Sequence, residues 1–600
     1  MLFSKKGISA KIIPLMIILI IFPVIYSANT HAAAKDDYFF DVSILSDSTS
    51  ENEVLANLLA QELRRIRINS QIISHPSGTF EAAVTSKAFD VVIVDIDWPN
   101  NDVDPTYMFA ENGAVNYWGI DTIMSGGQEN EDYLLEGKLE TDESQRISIY
   151  HEWQENLMDN ILPVIPIFNS ITTYVSWDNL NGWDHEEGII ASLPYMDWSG
   201  KHHLDQNQSV FVDYTDEWDI LNPLFVEDDF FASLVAEPLI RLDKNNEPEG
   251  VLAKSWSFNT NQTILTINLR DDVYWQPDVD EVYTNELFDA DDVIFSIQMY
   301  QNVSTIGSFY KWIKMINREN DTTIHLYIDG DPDTYGLQPY APTLYDLAKL
   351  MLPEHYLNVS VEDDGLPNTT NDNWGTYGLR GLGTGMYFFK SYSEGVESIF
   401  SRNDNWWGST PAGYVEVLEI GEYKVRFLAE LETKMLEFQA GRLDVFKDYY
   451  TYMDEYDGST YQKQTKTDFD VTYLGFNMKS ELCPNIGEQT LCEDGTMSKG
   501  LAVRKAIAHM VDKSIQQGMM EIELDIIESP FSNKFGSYIY NEITTYATNL
   551  EKAKEFMLKA GYDPSTIASP GFSFLGTLIT TFIVAATTTI TVIRRNRRQR

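Results

Sequence analysis

Apolar and polar positions change their spacing several times along this chain, and each change predicts an element. Phe39 to Leu45 alternates, as a strand with one buried face does. Ser50-Glu-Asn-Glu53 then reads as a capping box, after which Val54, Leu55, Leu58, Leu59 and Leu63 fall on one face of a helix. Ile72-Ile73 marks a second strand and Phe89-Asp90-Val-Val-Ile-Val94 a third, nearly all apolar as buried parallel strands are. Asp97 to Pro105 is an acid-rich loop; Arg146-Ile-Ser-Ile-Tyr150 with Gln154 sits on a helix, and Leu162-Pro-Val-Ile-Pro166 opens another strand. Near the far end, Thr548-Asn-Leu-Glu551 predicts a capping box for a helix over Leu550 to Ala560, with Gly561 as the left-handed residue beyond its last turn. Alternating β and α pieces of this kind predict an α/β fold.

Two longer apolar runs sit at the ends. Lys5, Lys6 and Lys11, the apolar stretch Ile12 to Tyr26 and Ala32-Ala33-Ala34 together predict a secretory signal over residues 1–34. An uncleaved anchor helix is the other reading, and both export the body. Phe572 to Ile593 holds no charge and as a helix spans about 33 Å, enough to cross a bilayer core. Five arginines in residues 594–600 predict a cytoplasmic tail and an outside body. Pro570-Gly571-Phe572 before the span also resembles an archaeal sorting signal of the PGF type, which would replace the span by a lipid. Either way the body is expected at the cell surface, held at its C-terminal end through a spacer over residues 564–571.

Charge removes whole classes of function. Of the 43 basic residues, three lie in the signal and five in the tail, so 35 face all 91 acids and the body carries −56 formal charges. Such a surface repels nucleic acid and other polyanions, and it suits a salty exterior. Cys483 and Cys492, nine positions apart, are the only cysteines; outside the cell they are expected to close a local disulfide. Six Asn-x-Ser/Thr sequons (Asn207, Asn261, Asn302, Asn320, Asn358 and Asn368) fit an exported glycoprotein. No metal or cofactor is expected: Asp329-Gly-Asp-Pro-Asp333 opens like a calcium loop but has Thr334 and Tyr340 where glycine and a bidentate glutamate belong, and His202-His203 lacks spaced co-ligands.

Eight short motifs follow one another between Leu221 and Asp512. They are Leu221-Asn-Pro-Leu224, Leu252-Ala-Lys-Ser-Trp256, Leu269-Arg270 with Val273-Tyr-Trp275, and Phe288-Asp-Ala-Asp-Asp-Val293. Gly383-Thr-Gly385, Arg402-Asn-Asp-Asn-Trp-Trp-Gly408, Leu474-Gly-Phe-Asn477 and Val503-Arg-Lys-Ala506 with Asp512 complete the series. Each is weak alone, but in this order they resemble the family 5, oligopeptide/dipeptide-type binding proteins of ABC importers. The resemblance implies a two-lobed periplasmic-binding-protein-like fold (type II, cluster C-like) with an extra subdomain at about 251–370. It also implies capture of a solute between the lobes, rather than catalysis, and delivery to permease subunits.

The order of the pieces departs from that family. After the helix ending in Ala560-Gly561-Tyr562 an α/β segment is expected, and only a few residues remain before the apolar span. Residues 35–168 look like that missing segment moved to the front. The reading is a circular permutation: 35–168 form part of lobe II, 169–198 return to lobe I, 199–208 join the former ends, 209–477 form lobe I, and 478–563 complete lobe II. Tandem domains are the alternative, and Asp37 and Tyr562 emerging side by side would favour permutation.

Three segments are implied as ligand contacts: Asp228, Asp229 and Phe230 before Glu237; the loop of Asp97, Trp98, Asn101 and Asp102; and Tyr473, Gly475, Phe476 and Asn477. In this family peptides are held as an added strand with charged groups fixing their ends. Trp98 and Trp118, following strands at the expected cleft edge, are candidates for stacking on a ligand, whereas Trp406-Trp407 is expected to pack as core. Aromatic supply keeps an oligosaccharide as the alternative ligand. A surface glycan or peptide hydrolase and an acidic surface-coat protein are the remaining classes.

Overall fold

The computed structural model describes residues 38–48, 50–98, 102–200, 209–216, 221–225, 230–278, 282–304, 307–362, 366–409, 414–415, 417–448, 456, 458–514 and 524–565. The signal, the apolar span, the basic tail, His202-His203, Asn101, Asp228 and Asp229 lie outside the described residues. Among the described residues no helix is long and apolar enough to cross a membrane.

The front of the chain builds β1 (Phe40–Asp47), α1 (Ser50–Arg65), β2 (Ile68–His75) and β3 (Val91–Ile96), then α2 (Gly127–Leu139), α3 (Glu143–Asn156) and β4 (Val164–Trp177). Parallel pairing puts Ile44 opposite both Ile72 and Val91, the arrangement that a crossover helix such as α1 permits. α1 turns Leu55, Leu59 and Leu63 inward, as its spacing predicts. The middle of the chain supplies β5 (Val210–Thr215), β6 (Ala253–Phe258), β7 (Ile264–Leu269), α4 (Ala290–Asn302), β8 (Ile313–Asn320) and β9 (Thr323–Ile328). Strands β10 (Tyr387–Ser393), β11 (Glu397–Arg402), β12 (Glu422–Phe427), β13 (Val445–Asp448) and β14 (Tyr461–Phe476) follow, then α5 (Lys499–Ala508), β15 (Leu524–Ile526) and α6 (Leu550–Lys559).

These strands form three sheets that matter for the site. One runs β10-β11-β12-β5, another β6-β7-β9-β8, and the largest β13-β4-β14-β3-β1-β2, with β15 also on β4. In the largest, β14 lies between two strands from the front of the chain: Val471 faces Ile96 and Asn169, and Gly475 faces Val92 and Val164. Front and rear segments therefore share one sheet.

Burial separates two main hydrophobic cores. The first gathers Ile44, Leu59, Ile93, Trp153, Phe168, Leu474, Ile507 and Met557; the second gathers Phe211, Leu239, Ile267, Phe295, Leu326, Tyr387, Tyr423 and Phe446. Among the described strands only β4 and β14 run through both. Val164 to Phe168 and Val471 to Phe476 pack in the first core, while Val175, Trp177 and Tyr461 belong to the second. The result is two lobes joined by a pair of long antiparallel strands.

The ends of the described body meet. The rings of Phe39 and Phe40 each lie 5.2 Å from that of Tyr562. On the other lobe, Trp198 Nε1 donates to the carbonyl of Val210 at 3.0 Å, so the flanks of the 199–208 joint are neighbours.

Two expectations need correction. Asn549, not Thr548, caps α6: its Oδ1 accepts from the amides of Glu551 and Lys552, and Thr548 Oγ1 instead donates to Val511 O. Gly561 does take the left-handed conformation, at φ 99°. The two cysteines are free, each buried in the first core. Backbone contacts close their segment without a crosslink, with Cys492 N on Met497 O at 2.9 Å and Cys483 N on Ser480 Oγ at 3.2 Å. Burial, reinforced by Asp90, pushes the Cys483 thiol up to about 11, so it stays protonated and inert. Both thiols are accordingly expected to ignore a thiol-specific chromogenic reagent in the native protein. Both should titrate once denaturant unfolds it, and a native protein with no titratable thiol after unfolding would restore the disulfide.

Candidate ligand cleft

Where β4 and β14 pass from one core to the other, their ladder breaks between Thr467 and Val471. Buried Asn169 fills the break: its Nδ2 donates to the carbonyls of Asp468 and Asp470 at 2.9 and 2.7 Å, and its Oδ1 accepts from Asn533 N at 2.6 Å and Ser532 Oγ at 3.1 Å. One amide thus replaces ladder bonds that the bulge removes, leaving a satisfied but locally unpaired pivot. The carboxyls of Asp97 and Asp470 hydrogen-bond each other beside it. Burial and then Asp97 push Asp470 up to about 7, and partial desolvation on the side facing Asp470 lifts Asp97 too although its outer side stays exposed, so the pair shares a proton near neutrality.

Two cavities lie along the gap between the lobes. The hinge-side one, about 280 Å³, is walled by Tyr174 and Lys466 of the crossing strands, Lys447 of β13, Asp213 to Thr215, and Trp183, His185, Phe230 and Phe231. His185 is held in place by a ring-nitrogen hydrogen bond with Thr465 O at 2.8 Å, and the rings of Phe230 and Phe231 stand perpendicular at 4.8 Å. Burial, then Lys534, holds the Lys466 ammonium below its usual range. Next to it, Lys534 Nζ bonds Glu186 Oε2 at 2.8 Å and connects to the second cavity. That one, about 530 Å³, has Asp102, Glu140, Glu143, Arg146 and Lys534 to Tyr538 on one side, and Asn245 to Pro248, Phe258 and Tyr345 on the other. Its walls therefore come from both lobes.

Asp102 is the best-anchored acid on this wall. Arg146 of α3 grips it in a two-pronged ion pair, Nη1 to Oδ2 at 3.0 Å and Nη2 to Oδ1 at 2.7 Å, while Arg146 Nε donates to Gly137 O at 2.9 Å. The arginine already takes both oxygens, so Asp102 is a structural anchor of the wall before it is a contact for cargo.

Other expected contacts are placed elsewhere. Phe230 lines the hinge-side cavity and Asp97 stands exposed by the pivot, but Trp98 and Trp118 are 2% and 0% exposed and cannot stack on a ligand. Trp98 packs between Phe531 and Phe535, at 5.2 and 4.9 Å, and Trp118 covers Gly475, where an added Cβ would sit 1.8 Å from its ring. Tyr473, Phe476 and Asn477 are likewise buried, with Asn477 Nδ2 donating to Lys87 O and Phe89 O at 3.0 Å. β14 is a central strand with a neighbour on each side, so its motif faces core rather than cleft. Conversely, the one signal that sequence offers for Lys447, Lys466, Lys534 and His185 is that bases are scarce in an acidic chain, and Trp183 carries no local signal at all.

Several motifs prove to hold one another. Glu237, 8% exposed, accepts from Trp406 Nε1, Trp407 Nε1 and Thr384 Oγ1, all at 2.8 Å. Asp289 and Asp292 form the capping box of α4, and Trp275 Nε1 donates to Asp292 at 2.9 Å. Burial pushes both Glu237 and Asp292 up to about 7. A carboxyl whose folded value exceeds its unfolded one binds more protons when folded, so its stabilisation is complete below about pH 4.5 and fades as pH rises through 7. The midpoint of thermal unfolding should therefore be higher at mildly acidic pH than above neutrality. Glu237→Gln should flatten that slope, changing the pH-dependent part by on the order of 2 kcal/mol. An unchanged slope would remove Glu237 from the account.

The chain is similar in sequence to known proteins over part of its length. A profile of the family described as bacterial extracellular solute-binding proteins, family 5 middle, matches residues 247–592, more than half of the chain. A nickel-binding periplasmic protein of Escherichia coli strain K12 is 25% identical over 228 residues, 38% of each chain. Among solved structures, NikZ from Campylobacter jejuni in complex with Ni(L-His) is 21% identical, covering 58% of this chain and 62% of that one, at a TM-score of 0.42. The oligopeptide-binding protein AppA from Bacillus subtilis, in complex with a nonapeptide, is 18% identical, covering 58% and 64%, also at 0.42. In each case the match spans less than two thirds of the relative's length.

Proposed function

We propose, for a chain that belongs to the bacterial extracellular solute-binding proteins of family 5, that it captures oligopeptides between its lobes and hands them to an ABC importer. The single observation carrying the peptide reading is the pair of cavities along the interlobe gap, linked through Lys534 and Glu186, with carboxylates and lysines on their walls. An extended chain of several residues fills such a trough, and the charged side chains meet its termini. A thermal-shift screen of peptides, oligosaccharides and Ni(L-His) tests this. A ligand at 100 times its dissociation constant adds about 2.7 kcal/mol. Stabilisation by sugars alone would favour the second reading, which the rings of Trp183, Phe230 and Phe231 on the hinge-side cavity support. Stabilisation by the nickel chelate alone would displace both.

The protein acts by binding rather than catalysis, is exported by its signal, and is held at the outer face of the membrane by residues 572–593 or by a lipid that replaces them. The order of its segments is a circular permutation of the family's. Supporting this, the ring of Tyr562 packs against those of Phe39 and Phe40, and Trp198 bonds across the joint to Val210. Permutation places both ends on the first-core lobe, so that lobe is the one tethered. A chain recut to start at residue 209, with Tyr562 linked to Tyr38 by a short loop, should fold and bind the same solute. Failure to fold under any linker length would argue for separate front and rear domains.

A further inference from the structure

We propose that the hinge-side cavity is a carboxylate subsite, in which Lys447 and Lys466 select solutes that carry a free acid group. The inference rests on the solute-capture reading and deepens it, by fixing which chemical end of the cargo lies at the hinge. Strand register puts the two lysines on one face of the largest sheet. Lys447 of β13 lies opposite Tyr174 of β4, and Lys466 of β14 lies opposite Thr172, two positions along β4 and therefore on the same side as Tyr174. Both line the cavity, with Tyr174 on the strand between them.

These two cations stand without a counter-ion. Acids outnumber bases 91 to 43, yet among the described residues neither ammonium forms an ion pair. The acids whose fields reach Lys466 are engaged elsewhere, Glu186 with Lys534 at 2.8 Å and Asp468 with Thr172 Oγ1. Asp213 is the acid on the cavity wall, and both its oxygens are taken: Oδ1 by Tyr214 N at 2.8 Å and Oδ2 by the Tyr423 hydroxyl at 2.6 Å. Burial outweighs the field of Lys447 and lifts the Asp213 carboxyl above its usual range, so it offers the lysines little negative charge. A half-buried ammonium that water solvates poorly gains from an anion brought to it. A second observation is independent of the lysines. Trp183 lines the same cavity, its ring perpendicular to that of Tyr174 at 5.6 Å, and its Nε1 is buried with no acceptor. The protein thus leaves a donor unused beside two unpaired cations.

The rest of the wall selects an organic anion. Ile189, Val445, Phe230 and Phe231 supply apolar surface around a space of about 280 Å³, which suits a carboxylate with carbon attached better than a hydrated inorganic ion. The neighbouring cavity of about 530 Å³, reached past Lys534, takes the remainder of the solute. The acid group is the C-terminus of a peptide or one end of a small organic acid.

The probes are trialanine, trialanine amide and glutarate, titrated into the full-length chain at constant ionic strength and followed by calorimetry. Trialanine is expected to bind at least tenfold more tightly than its amide, and Lys466→Met should close that gap. Lys447→Met should narrow it, and stands in should Lys466→Met not fold. Equal affinity for acid and amide, or a gap that survives both substitutions, overturns the subsite and leaves the peptide reading in place. Glutarate binding that is lost in the lysine variants, with neither peptide bound, upholds the subsite and overturns the peptide reading. Binding of none of the three probes overturns the subsite.

Discussion

Asp102→Ala is expected to lower stability by about 3–5 kcal/mol, because it strands a buried guanidinium. Arg146 is 6% exposed, and without Asp102 it keeps Gly137 O and the faces of Tyr150 and Tyr538, at 5.4 and 6.0 Å, as its surroundings. None of these is an anion. The pair itself need not be worth that much, since two charges are desolvated to make it. Asp102→Ala combined with Arg146→Met, which fills the volume without a charge, should therefore cost less than Asp102→Ala alone. Urea unfolding of the two singles and the double closes the cycle. A loss below about 1 kcal/mol in Asp102→Ala would mean that water reaches the pair, as for exposed ion pairs.

Arg504→Met should cost about 3 kcal/mol or more for a different reason. Arg504 is 2% exposed and among the described residues pairs with no carboxylate: Nε donates to Ile161 O and Leu162 O, both at 3.1 Å, Nη2 to Ile161 O at 2.7 Å, and Nη1 to Ile486 O. Burial pulls its guanidinium down to about 9, so removing the charge recovers some solvation. Against that, three carbonyls lose their donor at about 1–3 kcal/mol each, and the loss prevails. Leu162, at φ 49°, turns the chain from the end of α3 into β4 and is held there by this fork. Arg504→Lys should not rescue, because an ammonium cannot reproduce a planar fork on three acceptors. Hydrogen exchange should rise first in residues 157–166. Equal rates in wild type and variant would show that the turn is held by other contacts.

How far the site could be read beforehand differs by residue. Arg146 and Tyr150 were legible as one helix face, and Asp97 and Asp102 as an acidic loop after a buried strand. The tryptophans misled because a ring next to a strand end reads the same whether it faces a cleft or the core. Trp98 is enclosed by Phe531 and Phe535, more than 400 positions away, and nothing local to Trp98 announces them. The cysteines misled similarly: nine positions suffice for a bridge, but each side chain is claimed by packing.

Local chemistry carries what depends on neighbours along the chain. Periodicity predicted β1, α1 and β3, a capping box opened α4, and glycine at 561 closed α6, because hydrogen-bond geometry within a few residues decides each. The ordered motifs identified the family for the same reason: several are turns and caps fixed by local contacts, and some of them hold one another through Glu237 and Asp292. Which faces are buried twice, and which line a gap, was decided only by the tertiary structure. β14 belongs to the core because strands from the front of the chain flank it on both sides, a burial that no window of its own residues contains. The cavities arise where two lobes, each satisfied within itself, leave charged walls facing across a distance that side-chain identity does not encode.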